Sequence, residues 1–81
     1  SLTSLDLTLN QIGDEGMTIL GPALRHLTSL TSLNLNFNEI GDEGIKILVP
    51  VLHDLVCLRS LNLADNRIGY QNSILYDSLS L

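Results

Sequence analysis

Leucine and polar residues alternate in three short stretches of the chain, and apolar residues at a different spacing follow the first two. Residues 4–8 read Ser-Leu-Asp-Leu-Thr, which is the period of a strand with one buried face. Leu20, Leu24 and Leu27 come later, four and three residues apart, as on one face of a helix. This pattern predicts a strand, a turn and a helix, followed by a return to the next strand.

The unit recurs every 28 residues. Residues 2–29 are identical to residues 30–57 at 16 of 28 positions, and residues 58–69 match residues 30–41 at 8 of 12. Residues 70–81 match none of the 12 positions in residues 42–53, which is where a second half of the third copy belongs. We therefore predict a first repeat at 1–29, a second at 30–57, and a partial third at 58–81 with a divergent tail, either a worn cap or foreign sequence.

No single unit can bury its own leucines, so neighbouring units are expected to cover each other. The strands should lie side by side as a parallel sheet near residues 4–7, 32–35 and 60–63, with helices on the other side. The residues expected to be buried and adjacent are Leu5, Leu7, Leu33, Leu35, Leu61 and Leu63.

The start of each helix carries the sequence Gly-Asp-Glu-Gly. Asp14 and Asp42 are expected to cap these helices, because an aspartate side chain accepts backbone N–H bonds at a helix start. Pro22 and Pro50 fall inside the helices, so we expect a kink or a restart there.

The charge balance excludes several classes of protein. The net charge is −5 and the four Lys and Arg residues are scattered, which disfavours nucleic acid and anionic membranes as partners. No apolar run approaches the length needed to span a bilayer.

The single cysteine, Cys57, rules out an internal disulfide and mildly favours the cytoplasm. The chain opens at Ser1 in the middle of a pattern, which we interpret as one part of a longer array.

Residues with potential chemistry have plainer explanations. The Asp-Glu pairs at 14–15 and 42–43 recur with the repeat, as caps do, whereas a catalytic or metal site is needed only once. His26 and His53 have no partner at metal-ligand spacing, and Cys57 is expected to be a structural thiol. We therefore predict no catalytic, cofactor or metal site, and a protein that is not an enzyme.

The motif LxxLxLxxNxIGDEG, followed by a leucine-spaced helix, resembles the leucine-rich repeat of the ribonuclease-inhibitor type. It is similar to repeats of NOD-like receptors and of the Ran GTPase-activating protein. The resemblance implies an α/β leucine-rich-repeat solenoid, a right-handed β-α superhelix with parallel concave strands and convex helices. It also implies an inward structural ladder of asparagines, formed by Asn10, Asn38 and Asn66.

The concave face is the expected binding surface, because solenoids bind partners along such faces. The candidate residues for contact with a partner are Asp6, Asn34, Asn36, Phe37, Asn62 and Asp65. The predicted function is a protein–protein interaction module that binds another protein and is flanked by the remainder of its own solenoid. Two alternatives stay open: this face is a solvated spacer, or the repeats belong to a GTPase activator resembling the Ran-activating protein.

Overall fold

The computed structural model describes residues 2–69, in which three short strands alternate with two helices. The elements in chain order are β1 (Ser4–Asp6), α1 (Gly13–Leu24), β2 (Ser32–Asn34), α2 (Asp42–Asp54) and β3 (Ser60–Asn62). The divergent tail predicted at 70–81 lies outside the described residues, so the third repeat is described only through residue 69.

The three strands form one parallel sheet in the order β1-β2-β3. Leu5 pairs with Leu33, and Leu33 pairs with Leu61, so neighbouring strands are offset by one repeat. α1 packs against α2, and the apolar core lies between the helices and the sheet. The parallel arrangement predicted from the alternating leucines is confirmed.

The alternating leucines are buried in the second repeat and in the described part of the third, but not in the first. Leu33 and Leu35 are fully buried, and Leu61 and Leu63 nearly so. Leu5 and Leu7 of the first repeat are only half-buried, which corrects the expectation that all six leucines are buried. The physical reason is that each repeat is covered by its neighbour on the amino-terminal side, and no such neighbour covers β1 and α1 within the described residues.

Both helices run through their prolines without a restart. Pro22 lies within α1 and Pro50 within α2, and both residues are exposed. A proline removes one bond to the carbonyl four residues earlier, and on a solvent-facing side water can satisfy that carbonyl.

The aspartate at the start of α1 caps α2, the helix of the next repeat, and not its own helix. Oδ1 of Asp14 accepts hydrogen bonds from the backbone amides of Gly41 at 2.6 Å and of Gly44 at 2.9 Å. Oδ1 of Asp42 accepts one from Gly69 at 2.6 Å. The expectation that these residues cap their own helices is therefore wrong, because repeat stacking brings each carboxylate beside backbone amides of the following repeat.

The asparagines link neighbouring repeats in the opposite direction. Asn38 is fully buried, and its Oδ1 accepts bonds from the amides of Asn10 at 2.9 Å and of Ile12 at 3.4 Å. Its Nδ2 donates to the carbonyl of Leu7 at 2.8 Å. Asn66 makes the equivalent bonds to the second repeat. These side chains satisfy backbone groups at the point where strand pairing ends.

Candidate functional site

The outward-facing positions of the strands form ladders across the sheet. We call this surface, formed by residues 4, 6, 32, 34, 60 and 62, the strand face. The pairing register places Asp6 beside Asn34, and Asn34 beside Asn62. Three of the six candidate contact residues therefore lie in one row across the three strands.

Two residues of that row use their side-chain oxygens to turn the chain at the strand end. Oδ1 of Asp6 accepts bonds from the amide of Thr8 at 3.0 Å and from its hydroxyl group. Oδ1 of Asn34 accepts a bond from the amide of Asn36 at 3.0 Å. These bonds are local Asx turns, which close the end of a strand. Within residues 2–69 they leave the amide group of Asn34 and the second oxygen of Asp6 without a hydrogen bond.

The bonds from Thr8 also set the charge state of Asp6. The hydroxyl of Thr8, and after it the backbone amide of the same residue, lower the pKa of Asp6 below its ordinary value of 3.8. These bonds therefore favour the charged form of the carboxyl group.

Asn36 and Asn62 differ in how much of their side chain is free. Oδ1 of Asn36 accepts a bond from the amide of Ala64 in the next repeat at 2.8 Å, and Asn36 is half-buried. The side-chain oxygen of this candidate contact residue is therefore already bonded within the fold. Asn62 is exposed and makes no side-chain hydrogen bond within residues 2–69. Of the two, Asn62 is the better placed to meet a partner.

The remaining two candidates, Phe37 and Asp65, lie in a cavity beside the strand ends. We call this cavity the exit cradle; its volume is about 260 Å³. The residues that line it are Leu9, Gln11, Phe37, Glu39 and Asp65. The contact residues chosen from the sequence did not include Leu9, Gln11 and Glu39. The available signal was that these positions flank the recurring asparagine but change identity from repeat to repeat.

A larger apolar groove of about 430 Å³ lies at the amino-terminal edge of the array. We call it the amino-terminal groove; it is lined by Leu7, Asn10, Ile12, Gly16, Ile19, Leu20 and Ala23. Ile19 is among the most exposed apolar residues of residues 2–69, at 79%. This groove includes Leu7, one of the half-buried leucines of the first repeat, and lies where no preceding repeat covers that repeat within the described residues.

The described residues hold no constellation typical of a metal or membrane site. Residues 2–69 contain no cluster of three or more His, Cys, Asp or Glu side chains placed to hold a metal ion. Within the same range, neither helix has the length and apolar character needed to cross a bilayer. Cys57 is exposed, and is not the buried or half-buried thiol expected from the sequence.

Three parallel strands in a constant 28-residue register, of which the first two are each followed by a helix, define an α/β repeat solenoid. The chain belongs to the leucine-rich repeat family, whose model matches residues 1–20, 26–49 and 55–71. Leucine-rich repeats are in general protein-binding units, not catalytic ones. Neither a curated protein nor a solved structure matches the chain.

Proposed function

We propose that this chain is a protein–protein interaction module that engages its partner through the strand face and the adjoining exit cradle. The observation that carries the proposal is the row formed by Asp6, Asn34 and Asn62, which presents polar groups on a rigid sheet. Sites on rigid elements are more precisely held than sites on loops. Phe37, at 48% exposure, supplies an apolar anchor beside that row.

The charge of this surface favours a basic partner. Asp6 and Asp65 are both exposed, and the whole chain carries a net charge of −5. Opposite charges across an interface accelerate association and make it sensitive to salt. We therefore expect binding to weaken as ionic strength rises, chiefly through a slower association rate.

The amino-terminal groove is the site for a second proposed contact, with a further repeat of the same solenoid. In the second repeat, residues equivalent to those of the groove are buried against the first repeat. Leu35, Asn38, Ile40 and Leu48, the equivalents of four groove residues, are all fully buried in that contact. We propose that a preceding repeat of the same kind covers the groove.

Two finer features of the module are also part of the proposal. Helices of 12 and 13 residues within a repeat of 28 support the ribonuclease-inhibitor-like subclass. The cytoplasmic location rests only on the single cysteine. A GTPase-activating role receives no support from residues 2–69 or from the family match, and we do not propose it.

The proposed surface is tested with one purified partner, identified after affinity capture and then measured by calorimetry. Asn62→Arg places a bulky cation on the strand face without removing a hydrogen bond within residues 2–69. His53→Arg is the matched control, because His53 is exposed on the helical side and receives the same residue. We expect Asn62→Arg to weaken binding at least about tenfold and His53→Arg to leave it unchanged. The reverse ranking would place the partner on the helices.

A further inference from the structure

We propose that the exit cradle binds an arginine side chain together with the aliphatic residue next to it, presented by an exposed loop of the partner. This inference rests on the proposed function and specifies its ligand chemistry. The cavity of about 260 Å³ is below the range of small-molecule pockets, which is roughly 300–1,000 Å³. One or two side chains of a protein partner match it better than a cofactor does.

The backbone of the cradle shows that its apolar residues are not there for the fold. Phe37 and Leu9 adopt left-handed conformations, with φ of 57° and 64°. Glycine or asparagine adopts this conformation at lower cost than a bulky residue. Both side chains are also substantially exposed, at 48% and 71%. Neither backbone energy nor burial therefore explains an aromatic and an aliphatic residue at these positions.

The repeat pattern leads to the same conclusion independently. Asn38 and Ile40 keep their identity at the equivalent positions of all three repeats, and both are buried. Phe37 and Glu39 alternate with them along the chain, yet their equivalents differ in every repeat. Residues that the fold requires recur in every repeat. The cradle residues do not recur, so the fold does not determine their identity and binding of a ligand can.

The two carboxylates in the exit cradle, Asp65 and Glu39, favour a cationic ligand. Asp65 forms no ion pair or hydrogen bond within residues 2–69. Glu39 forms an ion pair with Arg67 at 3.8 Å, and both side chains are more than half exposed. Such an exposed pair is weak, so an incoming cation can compete for Glu39.

Arginine fits this set of groups better than lysine. Its guanidinium forms paired hydrogen bonds with a carboxylate and stacks on an aromatic face, and the cradle offers Asp65 and Phe37 for these two contacts. Leu9 supplies apolar surface for the neighbouring aliphatic side chain. Gln11 adds a carboxamide that no other side chain in residues 2–69 engages.

The test is an amide NMR titration of the 81-residue chain with the peptide acetyl-Gly-Arg-Leu-Gly-amide. The control peptide carries citrulline, a neutral isostere, in place of arginine. We expect the arginine peptide to shift the amide signals of residues 9, 11, 37, 39 and 65, and the citrulline peptide to bind at least about tenfold more weakly. Equal binding of the two peptides would overturn the proposal.

Substitutions in the chain separate recognition from folding. Phe37→Asn should leave the urea midpoint unchanged or raise it, because asparagine suits the left-handed backbone, and should reduce peptide binding at least about tenfold. Asp65→Asn should also weaken binding, whereas Glu15→Gln, the same charge change on the helical side, should not. Retained binding by both cradle variants would contradict the proposed site.

The same spectra distinguish failure of this inference from failure of the proposed function. If the arginine peptide shifts residues 6, 34 and 62 but none of the cradle residues, the cradle is rejected and the strand face stands. If the peptide binds the cradle while Asn62→Arg leaves binding of the purified partner intact, the strand face is rejected and the cradle stands.

Discussion

The carboxylate of Asp14 accepts a hydrogen bond at 2.9 Å from the backbone amide of Gly44, a residue of the next repeat. A methyl group at Gly44 would come within 2.7 Å of that same oxygen. Helix capping here is thus a contact between repeats, and the absence of a side chain at position 44 is what lets the two groups meet. The first helix and the start of the second are coupled through this one oxygen.

We expect Asp14→Ala to lower the free energy of unfolding by about 1–2 kcal/mol, since it removes the acceptor for two amides at the start of α2. Glu15→Ala is the control, because Glu15 is the neighbouring exposed acid and its side chain makes no hydrogen bond within residues 2–69. Urea unfolding followed by circular dichroism measures both. Equal losses for the two variants would show that the carboxylate contact between repeats contributes nothing.

The buried asparagine of the second repeat should be the most sensitive polar position. Asn38→Ala leaves buried backbone groups without partners, at a cost of roughly 1–3 kcal/mol for an unsatisfied group. Asn36→Ala should cost less, about 1 kcal/mol, since it removes one bond to Ala64. Asn62→Ala should stay within about 0.5 kcal/mol, as at other exposed sites. Denaturant unfolding of the three variants gives the ranking, and similar losses at positions 38 and 36 would contradict the bonding pattern described.

The 81-residue chain should be only marginally stable by itself, because the amino-terminal groove is open and about three repeats are the minimum for a solenoid. A copy of residues 30–57 placed before residue 2 should cover the groove and raise the urea midpoint. A flexible Gly-Ser segment of equal length is the control. A sharp unfolding transition at high denaturant in the unextended, monomeric chain would be inconsistent with this expectation.

The carboxyl group of Asp6 should titrate below 3.8 in an NMR pH series, because Thr8 donates two bonds to its charged form. Because the pKa of Asp6 is lower in the folded state, the charged carboxylate stabilises the fold at a pH above its unfolded-state pKa. This stabilisation is lost as the pH falls through the folded-state pKa. Thr8→Val removes the hydroxyl donor but keeps the amide, so the pKa should rise towards 3.8 without reaching it. An unchanged pKa in this variant would assign the effect to the backbone amide alone.

Periodicity predicted the parts of the fold that every repeat must supply. The alternating leucines correctly predicted the positions of three parallel strands. A strand with one buried face places an apolar residue at every second position, so this pattern marks strands directly. The half-burial of Leu5 and Leu7 follows from their place in the first repeat, which the order of the repeats shows, but the prediction of six buried leucines treated all three units alike.

The candidate site was less predictable than the fold. Asp14 was correctly expected to cap a helix, but the sequence does not state which helix lies nearest in space. The lining of the exit cradle depends on backbone angles near φ of +57° at Phe37 and +59° at Glu39. Such angles are unusual for these residue types, so local propensity gave no reason to expect their side chains around one cavity.

Both junctions between repeats in residues 2–69 are bridged twice, by an aspartate that bonds the following repeat and by an asparagine that bonds the preceding one. One 28-residue unit carries one partner of each kind. Duplication of one whole unit in the gene therefore inserts a complete new junction without any further mutation. An insertion between the asparagine and the aspartate of one unit would instead displace one of the two side chains from its backbone partners. Gain or loss of one whole unit therefore keeps both kinds of contact at the junction that results.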